Sequence, residues 1–278
     1  MKASHLISGL LVLAGIAAGC ANISEDDRYI KVEKPSVNRS LLIMEFTGNN
    51  CMNCPLGAEE VEKIKLDEGP DRVISVGLHP EGNYNTDPVP SLYPVPGTMQ
   101  DLRCKEATEL FKYYNPGGFP TAIFNGLKSS MASAIGDWMT KASDAIQVPS
   151  YITLNARCDY DNATRTLNVT YEVTFSDDLN ESISVAVWIV ENDIRGTQRM
   201  PDGKMNTDYV HNHVLRTSLN GAWGENIGDS FTQATTIEKS ASSTLSPDWV
   251  AENCDVIVFA IHDDNKEVEQ AISLKIEN

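Results

Sequence analysis

Basic residues are scarce, with 22 Lys and Arg against 39 Asp and Glu, a net charge of -17. Nucleic acids and anionic lipid surfaces are held by clustered positive side chains, so neither is an expected partner. Beyond the first twenty residues no apolar run is long enough to cross a bilayer of about 30 Å as a helix. Metal ligands are also sparse. Past the N-terminus the histidines are scattered at 79, 211, 213 and 262, and Cys104, Cys158 and Cys254 each stand alone. A structural zinc site takes four ligands, usually as two close pairs, and Cys51 with Cys54 makes only one. No metal and no cofactor is expected, and no internal repeat is visible.

The chain opens with Lys2, an apolar run from about Leu6 to Ala18 and small residues before Cys20, the pattern of a secretory signal at 1–19. "AAGC" resembles the lipobox of bacterial lipoproteins, with Ala17 where Leu is usual, and makes Cys20 the expected lipidation site and membrane anchor. Residues 20–39 are polar and without apolar periodicity, which suits a flexible tether. Glu25, Asp26 and Asp27 resemble the acidic export signal of surface lipoproteins in Bacteroidetes.

The rest suits two domains better than one. Strands and helices alternate over 40–147: a buried strand at Leu41–Phe46, a helix from Pro55, a strand at Arg72–His79, a helix from Met99 to Tyr114, a strand after Pro120 and a last helix ending near Ile146. Prolines 80, 88, 90, 94 and 96 mark an extended insertion at 80–98 without regular structure. From 148 to 278 the helical period gives way to seven short runs with alternation or β-branched enrichment. These predict an antiparallel, Ig-like β-sandwich.

The chemistry concentrates in "MEFTGNNCMNCP". A strand, a turn, Cys51, Cys54 and a helix place the pair near a helix N-terminus, where free N–H groups and the helix dipole favour a thiolate. Cys51 can then attack a disulfide and Cys54 resolve it. The same pair can also oxidise once and serve as a staple. Glu45, six residues before Cys51, and Pro120 in "GGFPT" complete a resemblance to thioredoxins. That resemblance implies an α/β thioredoxin-like domain in which Glu45 accepts a proton and a cis-Pro120 orients substrate backbone. Asn50 replaces the usual Trp, and "MN" replaces the usual dipeptide between the cysteines.

With the lipobox and the "YVHNHVLRTSLNGAWGE" segment, the chain resembles the twenty-eight-kilodalton outer-membrane lipoproteins of Bacteroidetes. This implies an outer-membrane, lipid-anchored protein, with either protein thiols and disulfides or a surface binding partner as its counterpart. His211 and His213, two apart on an expected strand, share a face there, and a packing or surface role is the favoured one. Pairing of Cys158 with Cys254 would close a loop of roughly a hundred residues and contribute about 4–5 kcal/mol. Cys104 is expected as a buried apolar thiol. Two functions follow: a thiol-disulfide oxidoreductase using Cys51, Cys54, Glu45 and Pro120, or a non-catalytic binding and adhesion lipoprotein using the β-domain.

Overall fold

The computed structural model describes residues 36–93 and 96–276. The signal peptide, Cys20, Glu25–Asp27 and the tether as far as residue 35 lie outside the described residues. The tether's end belongs to the folded body. Val37 bridges to Ser150, and the buried Arg39 donates to the Val268 carbonyl and, at 2.8 Å, to the Glu267 carboxylate.

The first half supplies β1 (Leu41–Phe46), α1 (Cys54–Glu68), β2 (Val73–Leu78), β3 (Val89–Ser91), β4 (Thr98–Gln100), α2 (Lys105–Tyr114), β5 (Thr121–Phe124) and α3 (Trp138–Ile146). The second supplies β6 (Ile152–Asp161), β7 (Thr166–Phe175), β8 (Ile183–Glu191), β9 (Ile194–Arg199), β10 (Met205–His211), β11 (Val214–Ser218), β12 (Glu225–Gly228), β13 (Thr236–Thr244), β14 (Cys254–His262) and β15 (Val268–Lys275).

Their pairing overturns the expected fold class of a thioredoxin-like α/β domain followed by a separate Ig-like sandwich. One eight-stranded mixed sheet runs in the order β15-β14-β8-β11-β2-β1-β5, with β12 beside β8. At the seam β11 lies parallel to β2, Val214 opposite Gly77, and the Gly77 N–H donates to the His213 carbonyl at 2.7 Å. A strand from late in the chain therefore completes the sheet begun by the first half. Among the described residues no α/β domain closes on its own, and β-strands dominate.

The sheet's two faces explain why β1, β2, β8 and β14 are buried along their whole length, as strands covered on both sides are. On one face Leu42, Met44 and Phe46 join Trp188, Val190, Ile257 and Phe259 in a core that includes Ala107, Leu110 and Tyr114 of α2. The opposite face is covered by two different layers. Over β1, β2 and β5, Leu41, Ile43, Val73 and Phe124 pack with Ile64 of α1 and with Trp138 and Ala142 of α3. Over β8 and β14, Val185, Val187, Val256 and Val258 pack against Leu167, Val169, Tyr171 and Val173 of a three-stranded sheet ordered β13-β7-β6.

Two local expectations change as well. The Pro-rich insertion is not structureless, because β3 lies within it and pairs with β4 at its C-terminal end, Ser91 opposite Thr98. The helix expected from Met99 begins only at Lys105. Met99 and Gln100 are in β4, and Cys104 acts as the N-cap, its Sγ accepting from the Ala107 N–H at 3.4 Å. Burial pushes the Cys104 thiol up to about 12, as suits an inert packing residue.

Candidate functional site

Cys51 and Cys54 are joined in a disulfide at the start of α1. The helix opens with Cys54 and Pro55, and Pro fits a first turn because its missing N–H has no intrahelical partner to lose. Both cysteines are buried, 3% and 2% exposed. The loop that carries them is held both by Tyr84 and Asn85 of the first half, which accept from Asn50, and by the second half of the chain. On β9 the Gln198 side-chain amide donates to the Cys51 carbonyl at 2.9 Å and the Gly48 carbonyl at 3.2 Å, and the Arg199 N–H donates to the Asn49 carbonyl at 2.8 Å. The antiparallel β9–β10 hairpin is thus fastened to the loop that carries the disulfide.

Glu45 lies on β1 beneath α1. A Cβ on Gly57 would stand 2.6 Å from Glu45 Oε1 and 2.9 Å from Trp138 Cη2, so only glycine allows the helix this close to the carboxyl. Burial raises the Glu45 pKa to about 8, with the nearby Thr47 side chain opposing the shift. The carboxyl is therefore protonated at neutral pH. The Phe119–Pro120 peptide is cis, and Pro120 precedes Thr121, which pairs with Phe46 at the C-terminal end of β1. Strand register thus brings Pro120 to the sheet end from which the cysteine loop departs.

Beside the disulfide is a cavity of about 540 Å³, bounded by α1, the β1–β2 pair and the β9–β10 hairpin with the turn into β11. Glu45, Cys54 and His79 line it from the first half, and Gln198, Tyr209 and His211 from the second. His79 is 2% and His211 6% exposed. Burial lowers His79 to about 3 and His211 to about 4, so both rings are neutral at pH 7. At the rim Glu62 is lowered to about 2, chiefly through its contact with His213, whose Nε2 also lies 2.6 Å from Lys65 Nζ.

The histidine pair does not share a strand face. β10 ends at His211, and His213 has a left-handed φ of 58° in the turn before β11. Among the described residues no group of three or more His, Cys, Asp or Glu is placed to hold a metal ion. Cys158 and Cys254 are not bonded to each other, which corrects the possible bridge between them. They occupy different sheets, and their thiols donate to different carbonyls, Cys158 to Lys275 at 3.2 Å and Cys254 to Val250 at 3.4 Å. Sequence reading missed Ser75, His79, Gln198 and Tyr209. The signal within reach was polarity in an apolar run, Ser75 and His79 in "RVISVGLH".

The family model for outer membrane protein Omp28 matches residues 107–278. No curated protein matches the chain. Among solved structures, HBP35 of Porphyromonas gingivalis is similar at 17% identity and a TM-score of 0.66, over 87% of this chain and 77% of that one. A domain of the outer membrane lipoprotein Omp28 from the same organism aligns at 24% identity and a TM-score of 0.34, over 46% of this chain and 89% of that one.

Proposed function

The chain belongs to the Omp28 outer-membrane protein family and is an outer-membrane lipoprotein, and from that premise we propose that, anchored through Cys20, it carries out thiol–disulfide exchange at Cys51–Cys54. The observation that carries this reading is the junction of three groups: a disulfide across the start of a helix, a buried protonated Glu45 one layer below, and a cavity that Cys54 and Glu45 both line. A substrate thiolate attacks Cys51 Sγ, the S–S bond breaks, and Cys54 leaves as a thiolate favoured by the helix N-terminus. Glu45 supplies the proton that Cys54 takes up. A second substrate thiol then displaces Cys51, so the substrate leaves as a disulfide and the protein holds two thiols. Pro120 borders the loop on which substrate backbone would lie. Reaching the sulfurs requires Gln198 to release the Cys51 carbonyl.

The test is a titration of the detergent-solubilised full chain against defined glutathione ratios, with free thiols counted by mass tagging. A reversible two-electron step between about -120 and -270 mV, lost in Cys51→Ser, is expected. A bond still closed below about -300 mV makes the pair a staple and refutes exchange. The burial of both sulfurs favours a second reading, a binding lipoprotein that contacts its partner through the β-rich half. Partner binding would then survive loss of both cysteines.

A further inference from the structure

β13 pairs with β7 residue for residue from Thr236 to Thr244, and among the described residues no strand or helix lies along its other side. In an antiparallel ladder every second residue turns its N–H and C=O away from its neighbour, so the outer side of β13 is a row of unpaired backbone donors and acceptors. Thr236, Glu238, Ser240, Ser242 and Thr244 are all exposed. Other edges are short, covered or irregular. β5 has four residues, with Ala122 bridged to Ala132, Arg39 occupies the Val268 carbonyl of β15, and β10 has a register shift between Asn206 and Tyr209. β13 has no proline, no glycine and no bulge. Its two charges are held by partners on the same chain, Glu238 by Arg157 at 3.8 Å and Lys239 by Glu225 at 2.6 Å, and Ser240–Thr244 carries none.

We propose that β13 is a self-association edge, which pairs antiparallel with β13 of a second copy about a two-fold axis at Ser240 and joins two three-stranded sheets into one of six. Residues directly opposite in an antiparallel pair lie on one face of the sheet, and a two-fold normal to the sheet keeps faces. A residue can therefore meet only one an even number of positions away. Centred on Ser240, the whole strand pairs: Thr236 with Thr244, Ile237 with Ser243, Glu238 with Ser242 and Lys239 with Ala241. No charge faces a charge, and each charged side chain meets a small one. Centring on Glu238 or Lys239 would set like charges face to face, and centres nearer Thr244 would pair fewer residues. A second copy also suits the edge electrostatically. The chain carries a charge of -17, yet Arg157 and Lys239 offset Glu238 and Glu225, so this patch brings no net repulsion to its own copy. The contact is isologous and closes at two copies, and confinement of a lipoprotein to one membrane raises its effective concentration.

The experiment is disulfide trapping of the full chain in isolated outer membranes, oxidised with copper phenanthroline and read on non-reducing gels and by mass spectrometry. The unsubstituted chain, with its own cysteines, sets the background. Ser240→Cys places two thiols opposite each other across the axis, within the roughly 4.4–6.8 Å between Cα atoms that a disulfide spans, and should give at least about ten times the background of a species of twice the chain mass. Ser242→Cys lies on the same exposed face, but its counterpart is four residues along the strand, about 13 Å away, so it should stay at background. Co-expressed with a differently tagged Glu238→Cys chain, it should crosslink to that chain. Ser240→Cys at background, equal crosslinking of Ser240→Cys and Ser242→Cys, or failure of the mixed pair each overturns the proposal. A crosslinked product of any mass other than twice the chain's assigns the edge to another protein and overturns it as well.

Discussion

Replacing Glu45 by Gln tests the central electrostatic claim, because the amide is close in shape to a protonated carboxyl and cannot ionise. Burial raises the Glu45 pKa from an ordinary 4.5 to about 8. Between those values the native state holds a proton that the unfolded chain has released, so stability falls as pH rises. The penalty grows by about 1.4 kcal/mol per pH unit and amounts to about 2 kcal/mol at pH 6, 3 at pH 7 and 4 at pH 8. The amide variant escapes this penalty at every pH. Urea unfolding of the oxidised protein and of Glu45→Gln at several pH values should therefore show a difference in unfolding free energy that climbs in the variant's favour, above a constant offset from the amide's own contacts. His79 and His211 titrate in both proteins and cancel in the difference. A difference that stays flat from about pH 5 to 8 would mean that Glu45 is ionised in the native state, and the proton-donor role in the exchange reaction would go with it.

Two further outcomes follow from buried contacts elsewhere. His262 Nδ1 lies 2.7 Å from Glu181 and its Nε2 3.3 Å from Glu269. Burial alone would lower its pKa, but the two carboxylates outweigh that and raise it. Its contribution is fully present below the ordinary histidine pKa and fades as pH rises through the raised one, so His262→Gln should cost more stability near pH 5.5 than near pH 8.5; equal losses in paired denaturant curves would count against the ion pairs. Phe46 packs its ring against Phe111, Tyr114 and Phe119 at centroid separations of 5.6, 6.1 and 6.2 Å. Phe46→Ala should lower the unfolding free energy by about 3–5 kcal/mol, and a loss under about 1 kcal/mol would contradict its place in the shared core.

Local structure was legible in the residues. The Leu41–Phe46 run and the Cys51–Cys54 pair with the helix after it follow from patterns spanning about a dozen residues, while Glu45 and Pro120 reach one sheet end only through the long-range pairing of β1 with β5. Pairing between distant strands was not, and that is where the expected fold class failed. Nothing in "VHNHVLR" shows that Val214 will lie beside Gly77, because strand periodicity fixes which face a residue occupies but not which strand becomes its neighbour. The same limit hid the β9–β10 hairpin. Its outward-facing composition reads as surface, yet Gly196 is buried, and a Cβ there would stand 1.8 Å from the Gln100 side chain, whose Oε1 accepts from the Thr197 N–H. The likeness to thioredoxins rested on Cys51, Cys54, Glu45 and Pro120 alone, so it had no bearing on how far the sheet extends.

The position of the cavity follows from the two-layered covering of the sheet. Alternation along β1 and β2 sends Leu41, Ile43 and Val73 to the face covered by α1 and α3, and the next residues with that orientation are Glu45, Ser75 and Gly77. These three line the cavity, where the apolar pattern of β2 gives way at Ser75, beside Ile43, and that of β1 at Glu45, beside Gly77. A strand buried on both faces has no packing need of a carboxyl or a hydroxyl there. The cost of keeping them is a Glu45 that must fold protonated and polar atoms without partners. Because the hairpin and His211 reach this level from the second half of the chain, the site exists only once β11 has docked against β2. Any activity of the disulfide or the cavity therefore belongs to the whole folded chain, and a fragment ending near residue 147 would lack the Gln198 and Arg199 contacts to the cysteine loop.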